Sequence, residues 1–179
     1  MNLHTLTKKQ EITNMAKTLS IIVAIAEDYG IGNKNELLAH ISEDLKRFKK
    51  ITAEHTVIMG RNTWFSLPKR PLPKRQNIVI TINPDEKFEG ADNVNSIEEA
   101  IAKCPENAES FIIGGAMVYK QFFEKADKLY ITKIRKSFEA DTFFPEIKPE
   151  TWDIESESDI LIDEKSGLKY QYVNFIRKN

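Results

Sequence analysis

Cysteine is nearly absent from this chain. Cys104 is the only one, so no disulfide can form within it, and the expected setting is a reducing, cytoplasmic compartment. There is no surplus charge of one sign either. The 26 basic residues stand against 27 acidic ones, for a formal net charge of −1, which offers nucleic acid or an anionic membrane nothing to hold. Long apolar runs are missing: none approaches the roughly 20 residues of a membrane span. Residues 1–17 are polar and lack the apolar stretch of a leader, so no secretory signal is expected there. The three histidines, His4, His40 and His55, have no metal-ligand spacing with one another or with Cys104. No G-x-S-x-G elbow occurs, and nothing marks Cys104 as a nucleophile. No metal site is expected, and hydrolase, metalloenzyme and nucleic-acid readings are weak.

What the chain does have is enough length for one core. Its 179 residues suit a single domain that buries about 70% of its unfolded surface. No repeat, low-complexity tract or linker divides it. The organising stretch is Ser110 to Phe123. Phe111-Ile112-Ile113 reads as a strand buried on both faces. Gly114-Gly115 follows, then a helical segment from Ala116 to Phe122. Strand, glycine pair and helix place backbone N–H groups beyond the carboxyl end of a central strand, where open α/β sheets bind anions. Gly-Gly is also what a plain turn uses. A second copy favours the ligand reading: Thr56–Met59 is apolar, Gly60 ends it, and Arg61-Asn62-Thr63 opens another short helix. Two helix ends and a forked cation at Arg61 suit a dinucleotide pyrophosphate. Neither turn matches G-x-G-x-x-G or the P-loop.

Taken in order, Leu19–Glu27 is another central strand, and Asp28–His40 reads as a long mobile loop of the kind that covers sites. Ser42 is the expected N-cap of a helix whose buried stripe is Ile41, Leu45, Phe48 and Thr52. Lys46, Arg47, Lys49 and Lys50 occupy the rest of its surface. Asp44 stands on the edge of the stripe. It either complements the helix dipole or, pointing inward, awaits a cationic or multi-donor ligand, since an unpaired buried carboxylate costs several kcal/mol. Asn77–Thr81 is a strand, Asn83-Pro84-Asp85 a turn, and Ser96-Ile97-Glu98-Glu99 a capping box. Lys128–Lys136 alternates as a strand with Thr132 beside Tyr130 and Ile134. Asp141–Pro145 is a loop. Trp152–Asp163 and Leu168–Arg177 form a closing hairpin. Its apolar face carries Trp152, Ile154, Ile160 and Ile162, and its charged residues, Lys169 and Arg177 included, are a solvated surface.

The segments SIIVAIAEDYGIG, LLAHISEDLKRFK, VIMGRNTW, RPLPKRQNIVI, FIIGGAMVYKQF, YITKI and DTFFP, in that order, resemble dihydrofolate reductase. The resemblance covers about residues 19 to 177. It implies a single-domain α/β fold: a central eight-stranded, mostly parallel sheet with an antiparallel C-terminal strand and helices on both faces. Residues 1–17 would be a flexible or weakly helical extension, and 18–179 the reductase-like domain, acting as a monomer. The implied chemistry is hydride transfer from NADPH to pterin C6 of 7,8-dihydrofolate, giving 5,6,7,8-tetrahydrofolate, with antifolate-type molecules as further ligands. Asp44 resembles the family's pterin-binding acid, with Thr132 supporting it. Phe48 and Leu45 would pack on the substrate rings, Leu67 and Leu72 line the outer pocket, and Arg75 clamp the glutamate carboxylate. Ile22 and Ile113 would present backbone carbonyls near the pterin. For the cofactor, the resemblance implies Ala24, Ile31 and Tyr119 around the nicotinamide. Gly60, Asn62, Thr63, Gly114 and Gly115 would line the pyrophosphate turns, and Arg61 and Thr81 would face the 2′-phosphate. It also implies a cis Gly114–Gly115 peptide, a lid around Gly32–Leu37 and a latch at Asp141.

One position departs from the pattern. Most of the family carries tryptophan, often after proline, where this chain has Leu38-Ala39. Alanine neither packs on the nicotinamide nor donates a hydrogen bond through water to the substrate, so weakened activity is expected. Met117 and Ile82 lack the polar groups that many relatives place near the 2′-phosphate, so the preference for NADPH over NADH is expected to be modest. The alternatives are a pyrimidine reductase sharing the fold, against which Asp44 and Arg75 argue, and a catalytically silent nucleotide-binding module.

Overall fold

The structure is a computed structural model describing residues 16–179. Most of the expected extension therefore lies outside the described residues; Lys17, at its end, donates from Nζ to the Ile101 carbonyl at 2.8 Å. Strands β1 (Thr18–Ile25), β2 (Gly30–Asn33) and β3 (Glu36–Leu37) precede helix α1 (Ser42–Thr52). Strand β4 (Thr56–Gly60) runs into α2 (Arg61–Ser66), and β5 (Asn77–Ile80) and β6 (Asp92–Val94) lead to α3 (Ile97–Lys103). Strand β7 (Glu109–Gly114) runs into α4 (Ala116–Phe123). Then come β8 (Lys128–Ile134), β9 (Thr142–Phe143), β10 (Trp152–Glu157), β11 (Leu161–Ile162) and β12 (Lys169–Arg177).

The main sheet has the order β10-β12-β8-β1-β7-β4-β5-β6, with β11 paired to β12. From β8 to β6 every pairing is parallel, and β12 runs antiparallel to both β8 and β10. The apolar runs lack polar alternation because both faces are covered. From β1, Ile21, Val23 and Ile25 go to the face packed by Ala100 of α3 and Val118, Tyr119 and Phe122 of α4. Ile22, between them, joins the opposite face with Trp64 of α2, against which Phe48 and Ile51 of α1 pack. One residue of register thus decides which layer a side chain serves.

Several local expectations are corrected. Ser42 is the first helical residue and not the N-cap. Ile41 caps α1 without a side-chain bond, its own side chain being buried, and its carbonyl accepts from the Leu45 amide at 3.1 Å. By contrast Ser96 caps α3 as expected, its Oγ accepting from the Glu99 amide at 3.1 Å. Residues 28–40 are not a structureless loop. β2 and β3 form a hairpin whose turn, Lys34-Asn35, has positive φ at both positions, 50° and 64°, the geometry that matches strand twist. β9 pairs with β2, so Asp141–Pro145 also contains a strand. Asp141 Oδ2 accepts from the Lys34 amide at 2.8 Å, and the Asp141 amide donates to the Gly32 carbonyl at 3.0 Å.

The expected continuous strand from Trp152 to Asp163 is broken. The register shifts between Ile154 and Ser156 and β10 ends at Glu157; Trp152 is buried, while Ile154, Ile160 and Ile162 are exposed. Ser158 then substitutes for a ladder partner, its Oγ accepting from the Tyr172 amide at 2.9 Å. Nor is Arg177 a solvated surface charge. It lies 4.4 Å over the Trp152 ring and donates to the carbonyls of Phe123 and Ala126, where α4 ends.

Candidate active site

Asp44 faces inward. Thr132 Oγ1, from a buried position on strand β8, donates to Asp44 Oδ1 at 2.6 Å. The bond joins the first turn of α1 to the middle of the sheet, 88 residues later in the chain. Burial pushes the Asp44 carboxyl above its ordinary range, against the opposing pull of the Thr132 hydrogen bond and the Arg47 charge. A carboxylate on a helix edge that served only the dipole would remain hydrated.

Arg47 is one residue that sequence reasoning placed wrongly. Its guanidinium stacks 4.0 Å over the Tyr172 ring and donates to Asn174 Oδ1 at 3.1 Å, on strand β12. The signal was available, since Arg47 is three residues past Asp44 and on the same side of the helix. Tyr172, which no local pattern singled out, has its phenol pushed up to about 12 by burial and by the nearby Asp44 charge.

The expected stripe of α1 is packed at its ends and open in its middle. Ile41 and Thr52 are buried and Phe48 packs against the core, but Leu45 is 51% exposed and belongs to no core cluster. Leu67 and Leu72 pack with Phe48 and Ile113 around the Ile22, Val57 and Trp64 cluster. Buried Asn77 holds the Leu72 segment, accepting from its amide at 2.9 Å and donating to its carbonyl at 3.0 Å. Arg75 donates from Nη1 to Thr52 Oγ1 at 2.9 Å and from Nε to the Pro73 carbonyl at 3.0 Å. Among the described residues it has no carboxylate partner. It is thus a positioned cation at the far end of α1 from Asp44.

The two glycine turns open beside one another. Met59 pairs with Gly114 across β4 and β7, and a Cβ built on Gly60 would lie 3.8 Å from the Gly115 amide. The Gly114–Gly115 peptide is cis, as is Arg70–Pro71. Thr63 stands over the pair, and buried Tyr119 donates its hydroxyl to the Ile22 carbonyl at 2.9 Å. Burial raises the Tyr119 phenol well above its usual range, so it stays a neutral donor. Ala24, opposite Thr132 in the β1–β8 register, and Ile31 are half-buried on the two sides of the sheet. Asn62 is exposed.

Arg61 and Thr81 are brought together, but onto a third residue. Arg61 Nε lies 2.6 Å from Glu86 Oε1, and Thr81 Oγ1 donates to Glu86 Oε2 at 2.8 Å. No spacing in the sequence pointed to Glu86, which stands 25 residues from Arg61.

A mostly parallel sheet with adjoining glycine turns at its carboxyl edge, and the inward carboxylate of Asp44 alongside, places the protein in the α/β class that binds ligands at that edge. The family model described as "Dihydrofolate reductase" matches residues 18–177. The dihydrofolate reductase of Bacillus subtilis (strain 168) is 42% identical over 161 residues, 90% of this chain and 95% of that protein. That of Staphylococcus aureus is 40% identical over 161 residues, 90% of this chain and 99% of the other. Among solved structures, dihydrofolate reductase from Enterococcus faecalis complexed with NADP(H) and RAB-propyl superposes with a TM-score of 0.82 at 37% identity, covering 90% and 97% of the two chains. The chain belongs to the dihydrofolate reductase family.

Proposed function

We propose that this enzyme reduces 7,8-dihydrofolate to 5,6,7,8-tetrahydrofolate with NADPH. The observation that carries the reading is the Thr132–Asp44 pair, a carboxylate held inward with one oxygen tied and the other without a hydrogen-bond partner among the described residues. Asp44 would receive the ring N–H and exocyclic amine of the pterin, bonds to a charged acceptor worth about 1.5–3 kcal/mol each. Those bonds offset the desolvation that the protein bears at that carboxyl. Thr132 positions the acid by donating to Oδ1. Phe48 and Leu45 would cover the rings, Leu67 and Leu72 the outer pocket, and Arg75, already oriented by Thr52, the glutamate carboxylate.

The turns fit a dinucleotide. A Cβ on Gly115 would meet only Thr63 Oγ1, at 3.4 Å, so the backbone there is open to close approach by a diphosphate. When bound, the nicotinamide supplies the hydride that pterin C6 accepts. Ala24, Ile31 and Tyr119 would bound its ring, and the hairpin latched by Asp141 would exclude bulk water by closing over it. Asp44 tunes the pterin without delivering the N5 proton, which water supplies.

The reading is tested by dihydrofolate-dependent loss of NADPH absorbance with the purified protein. Turnover supports it, and its absence with saturating substrates would overturn it. Ala39 gives a second check. It packs near Ala24 beside the Ile41, Ile134 and Tyr170 cluster, where a larger ring would exclude water from the site. Ala39→Trp is expected to raise kcat severalfold; equal or lower turnover would mean that the site has adapted around alanine.

A further inference from the structure

The groups expected to receive the cofactor's 2′-phosphate are already engaged by a carboxylate. Glu86 divides its two oxygens between them: Oε1 takes the Arg61 Nε–H at 2.6 Å and Oε2 the Thr81 hydroxyl at 2.8 Å. The arrangement is built into the backbone. Asn83 Oδ1 accepts from the Asp85 amide at 3.0 Å, and the Glu86 amide donates to the Asn83 carbonyl at 3.2 Å, a turn that aims Glu86 back across β5. Thr81 is held from its other side, its carbonyl accepting from Asn95 Nδ2 at 2.9 Å. Only 18% of the Glu86 side chain is exposed, and its carboxyl is held below the usual range, first by the Thr81 hydrogen bond and then by Arg61. It is an anion at neutral pH. Ile82 and Met117, both apolar and largely exposed, offer a phosphate no donor.

We propose that Glu86 is the specificity residue for the cofactor and that it weakens selection for the 2′-phosphate. A phosphate arriving at Arg61 must displace this carboxylate or lie beside it, and like charges at such range repel. An unphosphorylated ribose meets the opposite situation, because a carboxylate accepts a hydrogen bond from a 2′-hydroxyl, the device by which dinucleotide folds hold NAD. The enzyme therefore uses NADH along with NADPH, and the difference between the two is set at one side chain. The inference rests on the nicotinamide-dependent reading above.

The test compares wild type, Glu86→Gln and Glu86→Ala in two ways. Calorimetric titrations with NADP+ and NAD+ measure binding without turnover, and steady-state assays give kcat/KM for NADPH and NADH. Removing the charge is expected to raise the NADP+ to NAD+ affinity ratio and the NADPH to NADH kcat/KM ratio by about tenfold or more. The change should fall on the KM for NADPH. Circular dichroism verifies that both variants are folded, and the near-isosteric glutamine variant guards against a packing artefact in the alanine one. Ratios that move by less than twofold, or weaker NADP+ binding in both variants, would overturn the proposal and leave the reductase reading standing. If the wild type binds neither nucleotide, both readings fall together.

Discussion

Asp44→Asn is expected to lower kcat/KM for dihydrofolate by about 10²–10³-fold and, at neutral pH, to raise the melting temperature. The two effects have one cause. The carboxylate sits inward with Thr132 Oγ1 at 2.6 Å on one oxygen, and burial outweighs that bond and the Arg47 charge in setting its protonation. The folded protein therefore holds an anion more reluctantly than the unfolded chain does. Below the ordinary value of 3.8 the acid is protonated in both states and carries no ionisation penalty. As pH rises through that value the unfolded chain ionises first, and stability falls until the folded acid has ionised too. Asparagine keeps the shape and can still accept from Thr132, but it removes this pH-dependent penalty along with the charge that would grip the pterin. Thermal melts at acid and neutral pH should show the two proteins converging in acid and the variant ahead at neutrality. Retention of kcat/KM within threefold, or a variant that melts lower at neutral pH, would contradict the assignment.

Gly114→Ala is expected to be the most damaging change in the glycine turns, and Gly115→Ala to separate its causes. Gly114 has φ of +130°, a conformation that side-chain-bearing residues rarely adopt. A Cβ there would also approach Thr63 Oγ1 at 3.2 Å and the Tyr119 hydroxyl at 3.4 Å, disturbing the bond from Tyr119 to the Ile22 carbonyl. The variant should lose roughly 1–3 kcal/mol of stability and most of its affinity for NADPH. At Gly115 the backbone is extended, with φ of −93°, and the added methyl group meets only Thr63 Oγ1 at 3.4 Å. Its stability should change by less than about 0.5 kcal/mol, while the KM for NADPH rises because the methyl group stands where the diphosphate would lie. Denaturant melts and cofactor titrations on both variants check this. A Gly115→Ala enzyme with unaltered NADPH affinity would remove the turn from the cofactor site.

Part of the candidate site was legible in the sequence. Asp44 stood on the edge of an expected apolar stripe, where two roles were open to it, and both glycine turns end runs too apolar for surface strands. Errors came where a neighbour distant in the chain overruled the local pattern. Ile41 is buried against Ile134 and Tyr170, which moved the start of α1 and left Ser42 inside the helix. Between Trp152 and Asp163 the chain breaks into two short edge strands with a register shift in the first, and Ile154, Ile160 and Ile162 stay outside. The hairpin at 30–37 looked like a loop because its partner, β9, is two residues long and lies more than a hundred positions away.

By itself, then, the sequence determined the central strands and main helices, the covered parallel sheet and the glycine turns, and it left two roles open to Asp44. These follow from periodicity and backbone freedom, which act over a few residues. Only the tertiary structure decided that Asp44 meets Thr132, that Arg47 stacks on Tyr172, and that Glu86 stands between Arg61 and Thr81. Such pairings depend on which strands lie side by side and in what register, and that order emerges from packing both faces of the sheet at once.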